Sequence, residues 1–179
     1  MVGLRKASAY SKRHVVPFTR VSKKKGKSYI KTVPQQKIVK FRMGNDKAYN
    51  EGKFPHKLIM ISEEKAQIRH NALEACRQYV NKKLDKELVG QYFFEVIPYP
   101  HHIQRENKML TGAGADRMQS GMQLSFGKSS GKAALVKKGS RIFMIAVAND
   151  KGLRAARDTL KRVKPKLPCK IKLTYEKKD

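Results

Sequence analysis

The chain has 179 residues, is 40% hydrophobic, and carries 41 Lys plus Arg against 14 Asp plus Glu, a formal +27 with His neutral. The length suits one domain, or one domain with an appended arm, and the apolar fraction excludes wholesale disorder. No run approaches the roughly 18 consecutive apolar residues of a membrane span, MVGLRKASAYSKRH lacks a signal peptide's apolar region, and Cys76 and Cys169 form no CxxC, so the expectation is a soluble intracellular protein with neither disulfide scaffold nor zinc module.

Residues 1–36 read as a basic, irregular arm, interrupted by Pro17, Gly26 and Pro34 and without a sustained period of 3.6 or 2. The domain is expected over 37–179. Val39, Phe41 and Met43 alternate with Lys40 and Arg42, which predicts a half-buried strand ending at Gly44-Asn45, and Leu58 to Ile61 predicts a buried one. Ser62 offers an N-cap, with Glu63 and Glu64 in the first turn where the helix dipole favours carboxylates. The helix is predicted to run to Leu84 with Ile68, Ala72, Leu73, Ala75, Cys76, Tyr79, Val80 and Leu84 on its inward stripe.

Tyr92 to Ile97 predicts a strand closed by Pro98 and Pro100. Ala133–Val136 and Arg141–Ala148 predict strands around a Lys138-Gly139 turn, the second apolar on both faces and therefore central. Asn149 or Asp150 caps a second helix with Leu153, Ala156, Leu160 and Val163 inward and Arg154, Arg157, Lys161 and Arg162 on its other side. Pro165 and Pro168 end it, and Ile171 and Leu173 mark a last strand. This order predicts an α+β fold: an antiparallel-rich mixed sheet with two helices on one face. A doubly wound nucleotide fold is disfavoured, because GxGxxG and GxxxxGK[ST] are both absent.

The charge is concentrated at one end and along the second half. Residues 1–45 hold 13 Lys or Arg and no acid, 61–100 hold 6 basic and 6 acidic residues, and 101–179 hold 19 basic against 6 acidic. A solvated basic face explains one run such as Lys23-Lys24-Lys25-Gly26-Lys27, but an unpartnered +27 repels itself. A polyanion lying against Arg5, Lys6, Lys12, Arg13, Arg20, Lys23, Lys24, Lys25 and Lys27 offsets that repulsion by counterion release. A membrane surface fits less well, since there is no Trp and the most basic region has no amphipathic helix.

Residues 105–121, RENKMLTGAGADRMQSG, form a long glycine-containing stretch without periodicity, and such loops inside domains are usually functional. With about 8 residues per arm at ~3.3 Å each, its tip reaches roughly 25 Å. Arg105, Lys108 and Arg117 supply phosphate donors, Gly112 and Gly114 permit close backbone approach, and Asn107 and Gln119 offer neutral hydrogen bonds.

His101-His102, Arg105-Glu106-Asn107-Lys108-Met109, Ala113-Gly114-Ala115-Asp116-Arg117, Gly121-Met122 and Phe126-Gly127-Lys128 resemble the defining run of the large-subunit ribosomal protein family L sixteen, called L ten e in archaea and eukaryotes. Gln67 to Ala75, QIRHNALEA, is similar to that family's first helix, and Lys37-Ile38 and Gly44-Asn45 to its first strand. The resemblance covers roughly 34–173 and is nearer archaeal members. It implies an α/β-hammerhead type of fold, binding in an rRNA cleft beside the tRNA corridor, and a 105–121 loop directed toward the peptidyl transferase centre and P-site tRNA. Arg69, His101, His102, Lys128 and Lys132 complete the expected rRNA-contacting set. The expected partners are large-subunit rRNA, tRNA and neighbouring ribosomal proteins, with the chain a monomer in the cytoplasmic ribosome and no cofactor.

Catalysis is not expected. His101 and His102 are adjacent, so in an extended segment they point to opposite faces and cannot readily chelate one metal. Asp116 beside Arg117 suits a loop-stabilising ion pair, and Ser129-Ser130-Gly131-Lys132 lacks the upstream glycine of a phosphate loop. The alternative is a basic architectural nucleic-acid-binding protein outside the ribosome. That reading needs a recognition helix or an apolar wedge, neither of which is plain, whereas Tyr10, Phe18 and Tyr29 among the arm's basic residues suit stacking on unpaired RNA bases as well as ordinary packing.

Overall fold

A strand apolar on both faces needs neighbours on both edges and cover on both sides. Arg141–Val147 has both in the computed structural model, which describes residues 5–12, 17, 19, 30, 32–107 and 127–177. The described elements are α1 (Ser8–Ser11), β1 (Arg42–Gly44), α2 (Asp46–Asn50), β2 (His56–Ser62), β3 (Ala66–Arg69), α3 (His70–Glu87), β4 (Tyr92–Val96), β5 (His102–Glu106), β6 (Lys128–Val136), β7 (Arg141–Val147), α4 (Asp150–Val163) and β8 (Ile171–Lys177). A 3-10 turn, Lys164–Lys166, follows α4. The fold is α+β, as expected. Its strands divide between two antiparallel sheets: five strands ordered β1-β4-β7-β2-β8 and three ordered β3-β6-β5.

β7 is central, between β4 and β2. Its Phe143, Ile145 and Val147 join Leu58, Met60, Tyr92 and Phe94 in the core beneath α3 and α4, so both long helices cover one face. Met144 and Ala146 face the other side, packed with Ile59, Phe93, Phe54 and Ala48 of α2. Phe94 and Phe143 meet across the strands with centroids 5.7 Å apart and planes tilted 56°. Full burial of each such ring contributes roughly 1.5–3 kcal/mol.

Three expectations are corrected. The first helix starts at His70, not at Ser62, because Gln67, Ile68 and Arg69 pair as strand residues with Leu135, Ala134 and Ala133. That pairing buries Ile68 completely and satisfies its backbone, and Ser62 instead ends β2, its hydroxyl donating to the Glu64 carbonyl at 2.7 Å. On α3, Leu73, Cys76, Val80 and Leu84 point inward as expected, but Ala75 is exposed and Glu74 is buried, held by Arg77 at 2.6 and 2.7 Å. The first predicted strand shrinks to three residues: Val39 is 74% exposed while Ile38 turns into the core, reversing the alternation before pairing begins at Arg42.

Third, β6 and β7 do not pair across the Lys138-Gly139 turn. The turn carries the chain from the small sheet to the large one. It is clamped to the opposite crossing, β2 to β3, by Gly139 N–H donating to the Ser62 carbonyl at 2.8 Å and Ser62 N–H donating to the Ser140 carbonyl at 2.9 Å. Backbone groups at a sheet junction need partners as much as those inside a sheet, and here each crossing supplies them to the other.

Candidate nucleic-acid interface

The small sheet carries Arg69, Arg105, Lys128 and Lys132 of the described residues expected to meet a polyanion. β5 ends in Arg105 and Glu106, β6 begins at Lys128 opposite Glu106, and Lys132 stands opposite Ile103. Arg69 closes β3 and is the residue before α3. Arg5, Lys6 and Lys12 arrive from the arm, where residues 5–12 are not irregular but include the helical turn α1. Its Tyr10 is buried under the Arg69 guanidinium, 4.6 Å from the ring centroid, with Arg5 5.7 Å away, and donates through its hydroxyl to the Arg105 carbonyl at 3.3 Å. Arg69 in turn donates to the Arg5 carbonyl at 2.6 Å. A four-residue helix is stable only through such tertiary contacts. Tyr10 therefore packs as part of the protein and is not presented for base stacking.

The two histidines separate as expected. His101 is exposed, its Nδ1–H donating to the Tyr99 carbonyl at 3.0 Å. His102 is 4% exposed, and burial, then the charges of His101 and Arg105, push its pKa down to about 4. It is a neutral interior residue and not the surface RNA contact expected, because β5 buries His102, Ile103 and Gln104 in succession. Cys76 and Cys169 are both buried free thiols, Cys76 pushed up to about 12 by burial, in keeping with small apolar residues.

The loop's ends lie together. Asn107 follows β5 and Gly127 precedes β6, and a Cβ on Gly127 would stand 2.6 Å from the Glu106 carbonyl carbon and 2.7 Å from the Asn107 nitrogen. Only a residue without a side chain permits this approach. Lys108, Gly112, Gly114, Arg117 and Gln119 of the loop, and Arg13, Arg20, Lys23, Lys24, Lys25 and Lys27 of the arm, lie outside the described residues, as does Asp116.

One basic surface is missing from the expected interface. On α4, Lys151, Arg154, Arg157, Lys161 and Arg162 are exposed, and Lys164 and Lys166 extend the row onto the 3-10 turn. Arg154, Arg157, Lys161 and Lys164 recur at intervals of three and four, so they share one face over about 15 Å. Asp158 is the one acid between 151 and 166. The signal is legible in the sequence: the same period that turns Ala156, Leu160 and Val163 inward turns these cations outward. Among the described residues there is no group of three or more His, Cys, Asp and Glu placed to hold a metal, and no helix is long and apolar enough to cross a membrane.

The profile of the family described as ribosomal protein L16p/L10e matches residues 17–174. The large ribosomal subunit protein uL16 of Methanococcus maripaludis is 47% identical over 154 residues, covering 84% of this chain and 86% of that protein. Its counterpart of the same name in Sulfolobus acidocaldarius is 44% identical over 149 residues, 82% of each chain, and that of Caldivirga maquilingensis is 42% identical over 174 residues, 96% of this chain and 95% of the other.

Proposed function

The chain belongs to the ribosomal protein L16p/L10e family, and from that premise we propose that it is a structural constituent of the large ribosomal subunit in the cytoplasm. It binds rRNA and neighbouring subunit proteins as a monomer, and its 105–121 loop helps position tRNA beside the peptidyl transferase centre. The observation that carries this reading is the gathering of Arg5, Arg69, Lys132 and Lys128 around the small sheet from which the loop springs. Phosphate contacts fix the body on RNA, and the strands that flank the loop are paired with each other.

The loop is tested by shortening it from Lys108 to Met118, or by Arg105→Ala, in reconstituted ribosomes. The domain is expected to enter the subunit, while peptide-bond formation and tRNA occupancy fall. Unchanged values in both assays would make the loop a passive surface feature. Cosedimentation with the large subunit through a high-salt gradient separates this reading from an architectural protein outside the ribosome, which would stay near the top.

The α4 row makes a separate contribution. Replacing Arg154, Arg157 and Lys161 together by Ala is expected to reduce the magnitude of the log–log salt slope of rRNA binding by about 2 to 3, at roughly 0.7 to 0.9 for each phosphate no longer neutralised. Titrations at several salt concentrations read this directly, and an unchanged slope would remove α4 from the interface.

A further inference from the structure

α3 has 18 residues and, among the described residues, neither a side-chain cap nor an acid complements its N-terminus. The first N–H groups of a helix have no intrahelical acceptor, and the dipole makes that end attractive to an anion. The same end carries buried polar atoms without partners among the described residues. His70 is 4% exposed and its Nδ1 meets no hydrogen-bond partner, and the Arg69 Nε is likewise buried and unsatisfied, although the two Nη atoms of Arg69 are engaged by the carbonyls of Arg5 and Lys6. Those two bonds fix the guanidinium while leaving the Nε–H idle.

A small notch lies at this point, lined in part by Arg5, Arg69, His70, Gly131 and Lys132, with a volume of about 30 Å³. A Cβ on Gly131 would come within 3.3 Å of the His70 Nε2, so a residue without a side chain keeps the strand backbone close against the imidazole. Three cations, Arg5, Arg69 and Lys132, face one carboxylate there, Glu106. Burial and the nearby Lys37, Lys132 and Arg69 hold the His70 pKa below its ordinary value, so the ring is neutral and carries one N–H to donate.

We propose that this notch is the seat of one backbone phosphate of RNA, held by the Nδ1–H of His70, the Nε–H of Arg69, the first N–H groups of α3, and the charges of Lys132 and Arg5. The proposal rests on the rRNA-binding reading and deepens it to a particular subsite. Its size selects the ligand: 30 Å³ is room for one or two phosphoryl oxygens and not for a base. Gly131-Lys132, which fails as a Walker-type loop by spacing, thus meets phosphate through a different geometry, against the N-terminus of a helix contributed by another part of the chain.

The test uses the full chain and a large-subunit rRNA fragment in which each phosphate in turn is replaced by a neutral methylphosphonate. One position is expected to cost the wild type about tenfold in affinity, the scale of a charge-assisted hydrogen bond, and to cost nothing further in Lys132→Ala or in His70→Gln. The Lys132 variant guards against a folding artefact, since that side chain is only partly buried. If wild type binds the fragment but no position couples to either residue, the notch is not a phosphate seat and the broader rRNA reading stands. Saturation of the His70 ring resonances by inorganic phosphate, with no coupled position in the RNA, would assign the notch to free phosphate and overturn the proposal. Failure of the wild type to bind any fragment would sink both.

Discussion

Binding of the protein to large-subunit rRNA is expected to weaken by roughly 300- to 1000-fold when monovalent salt rises from about 50 to 200 mM, a log–log slope of about −4 to −5 for some 6 phosphates engaged. On the proposed interface the body would contribute through Arg5, Arg69, Lys128 and Lys132 around the small sheet and through the row on α4, and the sequence adds the basic residues of the arm. Each cation neutralises at most one phosphate, so no single substitution should remove more than about one unit of slope. Replacing Lys23, Lys24 and Lys25 by Ala should lower the slope, as should the α4 triple variant, and the two effects should add. Fluorescence titrations with a labelled rRNA fragment at four or more salt concentrations measure all of this. A slope near zero would overturn the electrostatic account and favour docking through protein contacts.

The locally encoded parts of this arrangement are legible in the sequence. Ile142 to Val147 is apolar at every position, and the strand is central; Ala156, Leu160 and Val163 recur at helical spacing, and they are buried on α4. What cannot be read is decided by residues distant in the chain. Ser62-Glu63-Glu64 has the chemistry of a helix start, and Ile68 sits in phase with Ala72 and Cys76, so the 3.6 period extends without a break through what is in fact a strand. Only pairing with Ala133 to Val136, some 65 residues onward, assigns Ala66–Arg69 to the small sheet. The same holds for Tyr10, whose aromatic ring among basic residues suggests a stacking platform, whereas the fold lays Arg69 over it. Tertiary contacts override local propensity at such positions.

For the interface the division is similar. Composition identifies the cations and the polyanion they suit, and the run from His101 to Lys128 carries the family resemblance. Convergence is out of reach: Arg5 and Arg69 are 64 positions apart, and nothing local signals that one donates to the carbonyl of the other. Nor does a pair of adjacent histidines reveal which is interior. The α4 row is visible as a pattern of cations opposite the core residues, and its exposure in the fold is what gives it phosphate-binding potential.

The burial of His102 carries the largest expected effect on stability. In the unfolded chain its imidazole titrates near the ordinary 6.5, whereas in the fold it holds a proton only below about 4. Between those values the unfolded state binds more protons than the native state, so stability falls as pH falls through this window and the loss is complete below the folded value. The magnitude is about 3 kcal/mol on going from pH 7 to pH 4, at 1.36 kcal/mol per unit, a substantial part of the ~5–15 kcal/mol that keeps a domain folded. His70, shifted in the same direction by burial, adds to the loss. Glu74 does not interfere in the upper part of the window: Arg77 holds its carboxyl below the ordinary 4.5, so its contribution is present above that value and is lost only at lower pH. Urea unfolding at pH 7 and pH 4.5 separates these terms. His102→Gln, polar and without a titration, should lower stability at pH 7 yet lose much less of what remains on acidification than the wild type does. An equal loss in both proteins would show that His102 is not held neutral in the fold.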